Sequence, residues 1–254
     1  MDVTELHRFY ATRLGATARR LIAARLRALP EPPPDGRVLG MGFATPWLDR
    51  YRARSRDTFA FMPAHQGVIH WPRNGSAACA LVDETALPLA DGSIDMALVI
   101  HGLELTNHLP AMLGELWRVL APQGRAVICV PNRRGVWARM DTTPFGHGRP
   151  FSRRQLEALL AEHHFLPSAF QPALFAPPVS RHVIMRSAPA WERVGMSLWP
   201  GFSGVLIIEA IKQVRAVSGE RVRNGTFAPL KPAAAANPAM LGSGLNECMD
   251  ASAE

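Results

Sequence analysis

The chain has 254 residues, of which 48% are hydrophobic, and this suits one α/β domain with a full core, alone or with added segments. Its three cysteines show no metal-ligand spacing, so we expect neither a zinc site nor a disulfide framework. The apolar runs are far shorter than the roughly 20 residues that cross a bilayer, and no signal peptide opens the chain. We therefore expect a soluble, cytoplasmic protein with no transmembrane segment.

The net charge of +7 is carried almost wholly by arginine, because Lys212 and Lys231 are the only lysines. Such a charge indicates affinity for nucleic acid, anionic lipid or acidic metabolites. Abundant alanine, proline and arginine together also indicate a compositional bias without any binding role. The charge alone therefore names no partner.

The first predicted element is an N-terminal amphipathic helix within residues 1–30. Apolar residues recur there at mostly three- and four-residue steps, and Asp2 and Glu5 have the spacing of a capping box. The arginines of this helix favour a solvated outer face, with contact to a membrane surface as the alternative. We expect the helix to pack on the main domain.

A proline-rich linker precedes the main domain, in which predicted strands and helices alternate as in a parallel sheet. Strands are predicted near residues 37–41, 58–62, 77–82, 94–100 and 125–130, and helices near 46–55, 110–120 and 152–163. A less regular region with helical pieces near 180–198 precedes a last strand at 204–214. Residues 224–254 lack periodicity and predict a disordered tail.

One block of the chain identifies a fold. Residues 81–132 contain a strand, a tight turn at Asp91-Gly92, a buried strand, an amphipathic helix and a glycine-containing turn into the next strand. With its segments VDE, LP, DGSID, HGLE, ELWRVL and PQG, the block resembles the class I S-adenosylmethionine-dependent methyltransferases, in particular the UbiE-like, type 11 branch that acts on small molecules. The resemblance covers roughly residues 36–215.

The resemblance implies a Rossmann-like α/β fold, with a mostly parallel seven-stranded sheet and helices on both faces. It also implies that residues 131–151 and 175–200 are insertions on the substrate side, as a loop and a lid. Ligands in such sheets bind at the carboxyl ends of the strands, beside the point where strand order reverses. The cofactor implied is S-adenosylmethionine, and the methyl acceptor is a small molecule.

The first glycine motif of the family is degenerate in this chain. In the family, an acidic residue followed by glycines receives the methionine and ribose parts of the cofactor. Here Gly42 matches a glycine, whereas Gly40 stands where the acid is expected and Ala44 replaces a glycine. The resemblance assigns the following cofactor contacts: Gly40, Met41, Gly42, Phe43, Ala44, Thr45, Met62, Asp83, Glu84 and His101.

The second strand is predicted to end without the carboxylate that the family uses to bind the ribose. That position falls near Met62, where no acid is present. Each lost charge-assisted hydrogen bond weakens binding by about 1.5–3 kcal/mol, so we expect cofactor affinity to be reduced or lost. The family's third cofactor contact is an acid that binds the adenine, and Asp83-Glu84 matches its position. The alternative role for these acids is to cap the turn at the strand end.

Candidate catalytic and substrate-side residues follow the fourth and fifth strands. His101 is the candidate general base or substrate contact, because the unperturbed pKa of histidine is near neutral; the alternative is a hydrogen-bonded histidine with no chemical task. After the fifth strand comes a basic, aromatic loop that favours an anionic acceptor, with a solvated loop as the alternative. Its substrate-side candidates are Arg133, Arg134, Trp137, His147 and Arg149.

The leading functional hypothesis is therefore S-adenosylmethionine-dependent methyl transfer to a small acceptor. The alternative is a catalytically inactive binding or regulatory protein that retains the scaffold, because a fold does not imply a function. A third hypothesis is an RNA-directed methyltransferase, based on diffuse arginine and aromatic residues. A further alternative is an anionic nucleotide bound in the crevice, because the missing acids would no longer repel its phosphates. No metal-binding motif is found in the sequence.

Overall fold

The structure is a computed structural model that describes residues 1–179 and 187–214. Its seven strands are β1 Arg37–Gly42, β2 Asp57–Pro63, β3 Cys79–Val82, β4 Ile94–Ile100, β5 Leu120–Pro131, β6 Phe165–Ala173 and β7 Val205–Lys212. They form one sheet in the order β3-β2-β1-β4-β5-β7-β6. Strands β1 to β5 are parallel, and β7 is antiparallel to both of its neighbours. The expected mostly parallel, seven-stranded α/β fold is confirmed.

Helices cover both faces of the sheet, as predicted. They are α1 Val3–Ala11, α2 Arg13–Leu26, α3 Thr45–Arg52, α4 Leu109–Val119, α5 Arg153–Glu162 and α6 Ala188–Leu198. Leu6, Ile22 and Leu48 from α1 to α3 belong to one core cluster, whereas Leu116 of α4 and Leu156 of α5 belong to the other. Within the described ranges, no helix is long and apolar enough to cross a membrane.

The N-terminal segment forms two helices, so the prediction of a single helix over residues 1–30 is wrong. Thr12 ends α1 and begins α2 with an extended backbone, and its hydroxyl accepts a hydrogen bond from the Gly15 amide. A Cβ at Gly15 would lie 2.0 Å from the carbonyl oxygen of Phe9, so the fold-back between the helices requires glycine. The predicted capping box of Asp2 and Glu5 is present.

Strand β6 is the one strand of the sheet that the sequence pattern does not indicate. It carries Pro167 and Pro172 and lies at the edge of the sheet, the position where strands tolerate proline. The other predicted strands and helices agree within a few residues, except that β5 begins at Leu120. Of the predicted helical pieces, α6 is present, whereas residues 180–186 and the predicted tail at 224–254 lie outside the described residues.

Candidate functional site

The strand order reverses at β1, whose carboxyl end lies beside the carboxyl end of β4. Gly42 ends β1 with a φ of +75°, and a Cβ there would lie 2.5 Å from the carbonyl oxygen of Ile100. His101 follows β4 with a φ of 53°, and the Phe43 amide donates to Ile100 O at 2.7 Å. The glycine of the first motif therefore serves a close approach between two strand ends.

A buried chain of hydrogen bonds occupies this strand junction. The hydroxyl of Tyr10 lies 2.7 Å from Nε2 of His101, and Nδ1 of His101 lies 3.0 Å from Oε1 of Glu104. His101 is only 1% exposed. Both ring nitrogens of His101 already have partners. His101 therefore has the geometry of the alternative to a general base, a hydrogen-bonded histidine at a strand end.

Aromatic rings pack around this chain. Tyr10 stacks on Phe43 with ring centroids 5.6 Å apart, and its ring meets Trp47 edge-on at 5.3 Å. Phe145 lies 5.0 Å from His101. Burial raises the pKa of the Tyr10 hydroxyl well above its usual value, and neighbouring Cys129 and Glu104 raise it further. A protonated Tyr10 that donates to Nε2 leaves the imidazole proton on Nδ1, where it is donated to Glu104.

The loop after β2 also crosses the junction. The side-chain amide of Gln66 donates to the carbonyl oxygen of His101, and the carbonyl of Gln66 accepts from the Val3 amide at 2.7 Å. Gln66 is 2% exposed. Since β1 lies between β2 and β4, a loop that reaches from β2 to His101 covers the end of β1. Gln66 and Tyr10 therefore both contact His101 at the strand junction beside Gly42.

The family has acids at the positions of Gly40 and Met62, and no other carboxylate of the described residues takes their place there. A Cβ at Gly40 would lie 2.3 Å from Cδ1 of Leu48, so there is no room for a carboxylate. Met62 is 1% exposed, and its sulfur accepts from the Ile69 amide at 3.4 Å. Asp57, the acid of β2, lies at the opposite end of that strand and pairs with Arg37.

The two acids after β3 are both engaged within the fold. Asp83 accepts hydrogen bonds from the hydroxyl and amide of Thr85, at 2.6 and 2.8 Å. These bonds lower the pKa of Asp83. Buried Glu84 accepts from the hydroxyl of Thr106 at 3.1 Å and lies 3.6 Å from Nδ1 of His65. Asp83 thus caps its own turn, the alternative to an adenine contact, while its exposed carboxylate remains accessible.

Two of the predicted cofactor contacts line an open cleft that Tyr10 also borders. Phe43 and Thr45 border a cavity of about 700 Å³ between α1, the start of α3 and the loop near Trp71. Ala44 is buried, and Met41 is buried within β1. The residues assigned to one crevice are therefore divided between the core and this cleft.

The loop after β5 divides its substrate-side candidates in a similar way. Arg133 and Arg149 line one open cleft of about 400 Å³, whose lining also includes Leu109, Phe151 and Leu159. Backbone hydrogen bonds hold this cleft together, from Arg133 N to Phe151 O at 2.9 Å and from Arg149 N to Glu104 O at 2.8 Å. Across residues 1–179 and 187–214, neither guanidinium has an ion-pair partner.

The other candidates of that loop do not share this cleft. Trp137 is 2% exposed and donates from Nε1 to the carbonyl of Ala176 at 2.8 Å. Nε2 of His147 lies 2.9 Å from the carbonyl oxygen of Asp141, and Arg134 is exposed. Trp137 therefore contributes to the core rather than to a ligand surface.

Sequence reasoning missed the roles of Tyr10 and Gln66. Neither residue belongs to a motif, and Tyr10 is 91 residues from His101. No local signal predicts a contact across such a distance. Among the described residues, no cluster of three or more side chains is suited to hold a metal ion.

Residues 12–165 match the family model described as "Methyltransferase domain". The chain belongs to this methyltransferase-domain family. The chain is 26% identical over 162 residues to the demethylmenaquinone methyltransferase of Thermus thermophilus, across 63% of this chain and 66% of that protein. The resemblance to class I, UbiE-like methyltransferases is thereby confirmed, and S-adenosylmethionine is the cofactor of the family.

Solved structures share the fold of this methyltransferase-domain protein. A methyltransferase of Thermotoga maritima that depends on S-adenosylmethionine is 17% identical, with a TM-score of 0.57 over 83% of this chain and 96% of that one. An S-adenosylmethionine-dependent methyltransferase of Mesorhizobium loti is 12% identical, with a TM-score of 0.53 over 80% of this chain and all (100%) of that one. At these identities the likeness concerns the fold alone.

The residues of this methyltransferase-domain protein do not fit S-adenosylmethionine in the crevice that the family uses. Leu48 occupies the space of an acid at Gly40, and β2 ends in Met62-Pro63 without a carboxylate. Tyr10 and Gln66 form hydrogen bonds with His101 beside Gly42. The structure therefore supports no reaction step through this cofactor.

Proposed function

We propose that this methyltransferase-domain protein is a binding protein that retains the scaffold and does not transfer methyl groups. The observation that carries the proposal is the buried chain from Tyr10 through His101 to Glu104, which includes a residue that the resemblance assigns to the cofactor. Opening that site would expose an aromatic core residue and leave Nε2 of His101 without its partner.

The energies favour the closed site. Two missing hydrogen bonds to a ribose cost about 3–6 kcal/mol. Exposing a large buried side chain such as that of Tyr10 costs about 1.5–3 kcal/mol more. A micromolar ligand binds with only about 8 kcal/mol. The combined losses therefore leave little net affinity for S-adenosylmethionine.

We propose a small anion as the ligand, bound in the cleft of Arg133 and Arg149. Both arginines line an open cavity of about 400 Å³ that is also lined by apolar residues. Arginine binds carboxylates and phosphates through paired, charge-assisted hydrogen bonds. A ligand with a carboxylate or phosphate at one end and an apolar body matches this combination.

Calorimetry and thermal unfolding test both parts of the proposal. We expect no heat and no shift in Tm with millimolar S-adenosylmethionine or S-adenosylhomocysteine. Carboxylate or phosphate ligands with an apolar body should raise the Tm of the wild type, and Arg133→Ala and Arg149→Ala should each remove that rise. Arg27→Ala, an exposed arginine at the end of α2, is the matched control and should keep it. Unchanged ligand binding in both cleft variants would contradict the anion site.

The second candidate is S-adenosylmethionine-dependent methyl transfer to a small, anionic acceptor. Family membership supports it, together with the positive φ of Gly42 and the exposed carboxylate of Asp83 at the end of β3. It requires Tyr10 and Gln66 to leave the crevice. Measurable binding of S-adenosylmethionine by the wild type, weakened in Asp83→Ala, would establish this candidate and overturn the first. RNA-directed methylation stays a prediction.

A further inference from the structure

The last described helix carries an exposed apolar face. Trp191, Val194 and Leu198 lie at three- and four-residue steps along α6, with exposed fractions of 40%, 45% and 62%. Trp199 and Phe202 continue the face at 51% and 60%. We define these five residues as the outer face. Single exposed apolar residues are ordinary, whereas a contiguous set with two tryptophans and a phenylalanine marks an interaction surface.

Contacts on the opposite side of α6 show that this orientation is specific. Glu192 is turned inward, where it accepts from the Phe175 amide at 2.7 Å and pairs with Arg25 at 3.3 Å. A Cβ at Gly195 would lie 2.4 Å from the ring of Phe175. The helix is therefore held by Glu192 and by small residues, whereas its large apolar residues Trp191, Val194 and Leu198 are exposed.

Arginines border the outer face without acidic partners. The side-chain amide of Asn132 donates to the carbonyls of Gly201 and Ser203, at 3.0 and 2.8 Å. This contact places Arg134 of the same turn beside the end of the outer face. Arg193 lies on α6 itself, next to the inward-facing Glu192. In the part of the chain that the structure describes, neither Arg134 nor Arg193 has an ion-pair partner.

We infer that the outer face binds an anionic lipid surface, with the aromatic and aliphatic side chains in the headgroup region and the arginines on the lipid phosphates. Tryptophan, phenylalanine and leucine beside arginine are the composition of helices that lie in the membrane interface. The absence of an acidic complement among the described residues of the outer face matches a negatively charged surface. A symmetric dimer would instead bring Arg193 and Arg134 of two identical, basic chains together.

Vesicle sedimentation with the full chain tests this inference. We expect the protein to sediment with vesicles of phosphatidylcholine and phosphatidylglycerol at low salt, and to remain in solution with phosphatidylcholine alone. High salt should weaken the binding, because it screens the arginines. Brominated lipid should quench the fluorescence of Trp191 and Trp199, which are more exposed than the other tryptophans. No sedimentation with anionic vesicles would overturn the inference.

Variants separate a specific face from general stickiness. The double variant Trp199→Ser/Phe202→Ser should lower the vesicle-bound to free ratio by roughly tenfold or more, and Arg134→Glu/Arg193→Glu should remove the preference for anionic lipid. Leu81→Ser/Leu166→Ser is the matched control, since both leucines are 50% exposed on strands of the sheet, and it should bind as the wild type does. Equal losses in the control variant would contradict a specific face.

Light scattering decides between a membrane and another occupant of the outer face. We expect the full chain to keep its oligomeric state when Trp199 and Phe202 are changed, because we assign the outer face to lipid and not to a second copy. A dimer that dissociates in that variant and does not bind vesicles would overturn the inference in favour of a second copy. Arg133 is left unchanged throughout, so a failure here is distinguishable from failure of the anion cleft.

Discussion

The hydroxyl of Tyr10 lies 2.7 Å from Nε2 of His101, although 91 residues separate them. Through this contact, α1 packs on the junction of β1 and β4, where the resemblance predicts cofactor contacts. The first helix therefore belongs to the architecture of the site, even though the family match begins at residue 12.

Tyr10→Phe tests the energetic weight of that contact. It leaves the buried Nε2 of His101 without a partner, so we expect the free energy of unfolding to fall by about 1–3 kcal/mol. Urea titration of the variant and the wild type measures the difference. The other tyrosine of the chain, Tyr51, has no hydroxyl hydrogen bond within the described residues and borders an open cleft. Tyr51→Phe should therefore cost less than about 0.5 kcal/mol, and equal effects of the two variants would contradict the prediction.

Alkaline pH should weaken the fold through Tyr10 and Cys129. Burial, chiefly, raises the pKa of both groups well above their ordinary values of 10.0 and 9.0. The unfolded chain therefore loses these protons at lower pH than the folded chain does. As pH rises past the ordinary values, ionisation favours the unfolded state, so stability falls by up to about 1.4 kcal/mol per pH unit for each proton.

Urea titrations at increasing pH, compared with the tyrosinate absorbance, measure this effect. In Tyr51→Phe the remaining Tyr10 should ionise together with unfolding, and in Tyr10→Phe the alkaline fall in stability should be shallower. Ionisation of Tyr10 in the folded protein near pH 10.0 would show that the hydroxyl is accessible to solvent.

Gly42→Ala tests the close approach of β1 and β4. A positive φ costs a residue with a Cβ about 1–2 kcal/mol, and at Gly42 that Cβ would also lie 2.5 Å from Ile100 O. We expect the free energy of unfolding to fall by about 3 kcal/mol or more in Gly42→Ala. Gly92 has a φ of +62° but its nearest neighbour would be 3.9 Å from a Cβ, so Gly92→Ala should show only the cost of φ. Equal losses in thermal unfolding would mean that β1 and β4 move apart freely.

Gly40→Ala tests whether any side chain fits at the position where the family has an acid. Its Cβ would lie 2.3 Å from Leu48 Cδ1, and overpacking of this kind costs about 1–3 kcal/mol. In a Leu48→Ala background the cost should fall below about 1 kcal/mol, which a double-mutant cycle in urea measures. Gly114→Ala, where a Cβ meets nothing within 4 Å, should be neutral or stabilising. An unchanged cost without the Leu48 side chain would show that a backbone effect dominates.

The fold was accessible from sequence because its signals are local. The buried strands and amphipathic helix between residues 81 and 132, and the capping boxes of Asp2 and Ser152, depend on neighbours a few residues apart. The exceptions also have local reasons. Pro167 and Pro172 make the sequence of β6 unlike that of a strand, since proline is compatible with a strand only at an edge. Thr12 divides a pattern that predicts one continuous helix.

The sequence by itself predicted the scaffold and the loss of two acids, because hydrophobic periodicity indicates the elements along the chain and the resemblance to a known family implies their arrangement and the motif positions. Only the tertiary structure decided that Leu48 occupies the space beside Gly40 and that Tyr10 and Gln66 contact His101. Tyr10, Gln66 and His101 meet through long-range packing that no window of residues encodes. The orientation of α6 was also decided only by the tertiary structure, since the sequence of an apolar stripe does not show whether it faces the core or solvent. Its direction depends on Glu192, which finds Arg25 only in the folded protein.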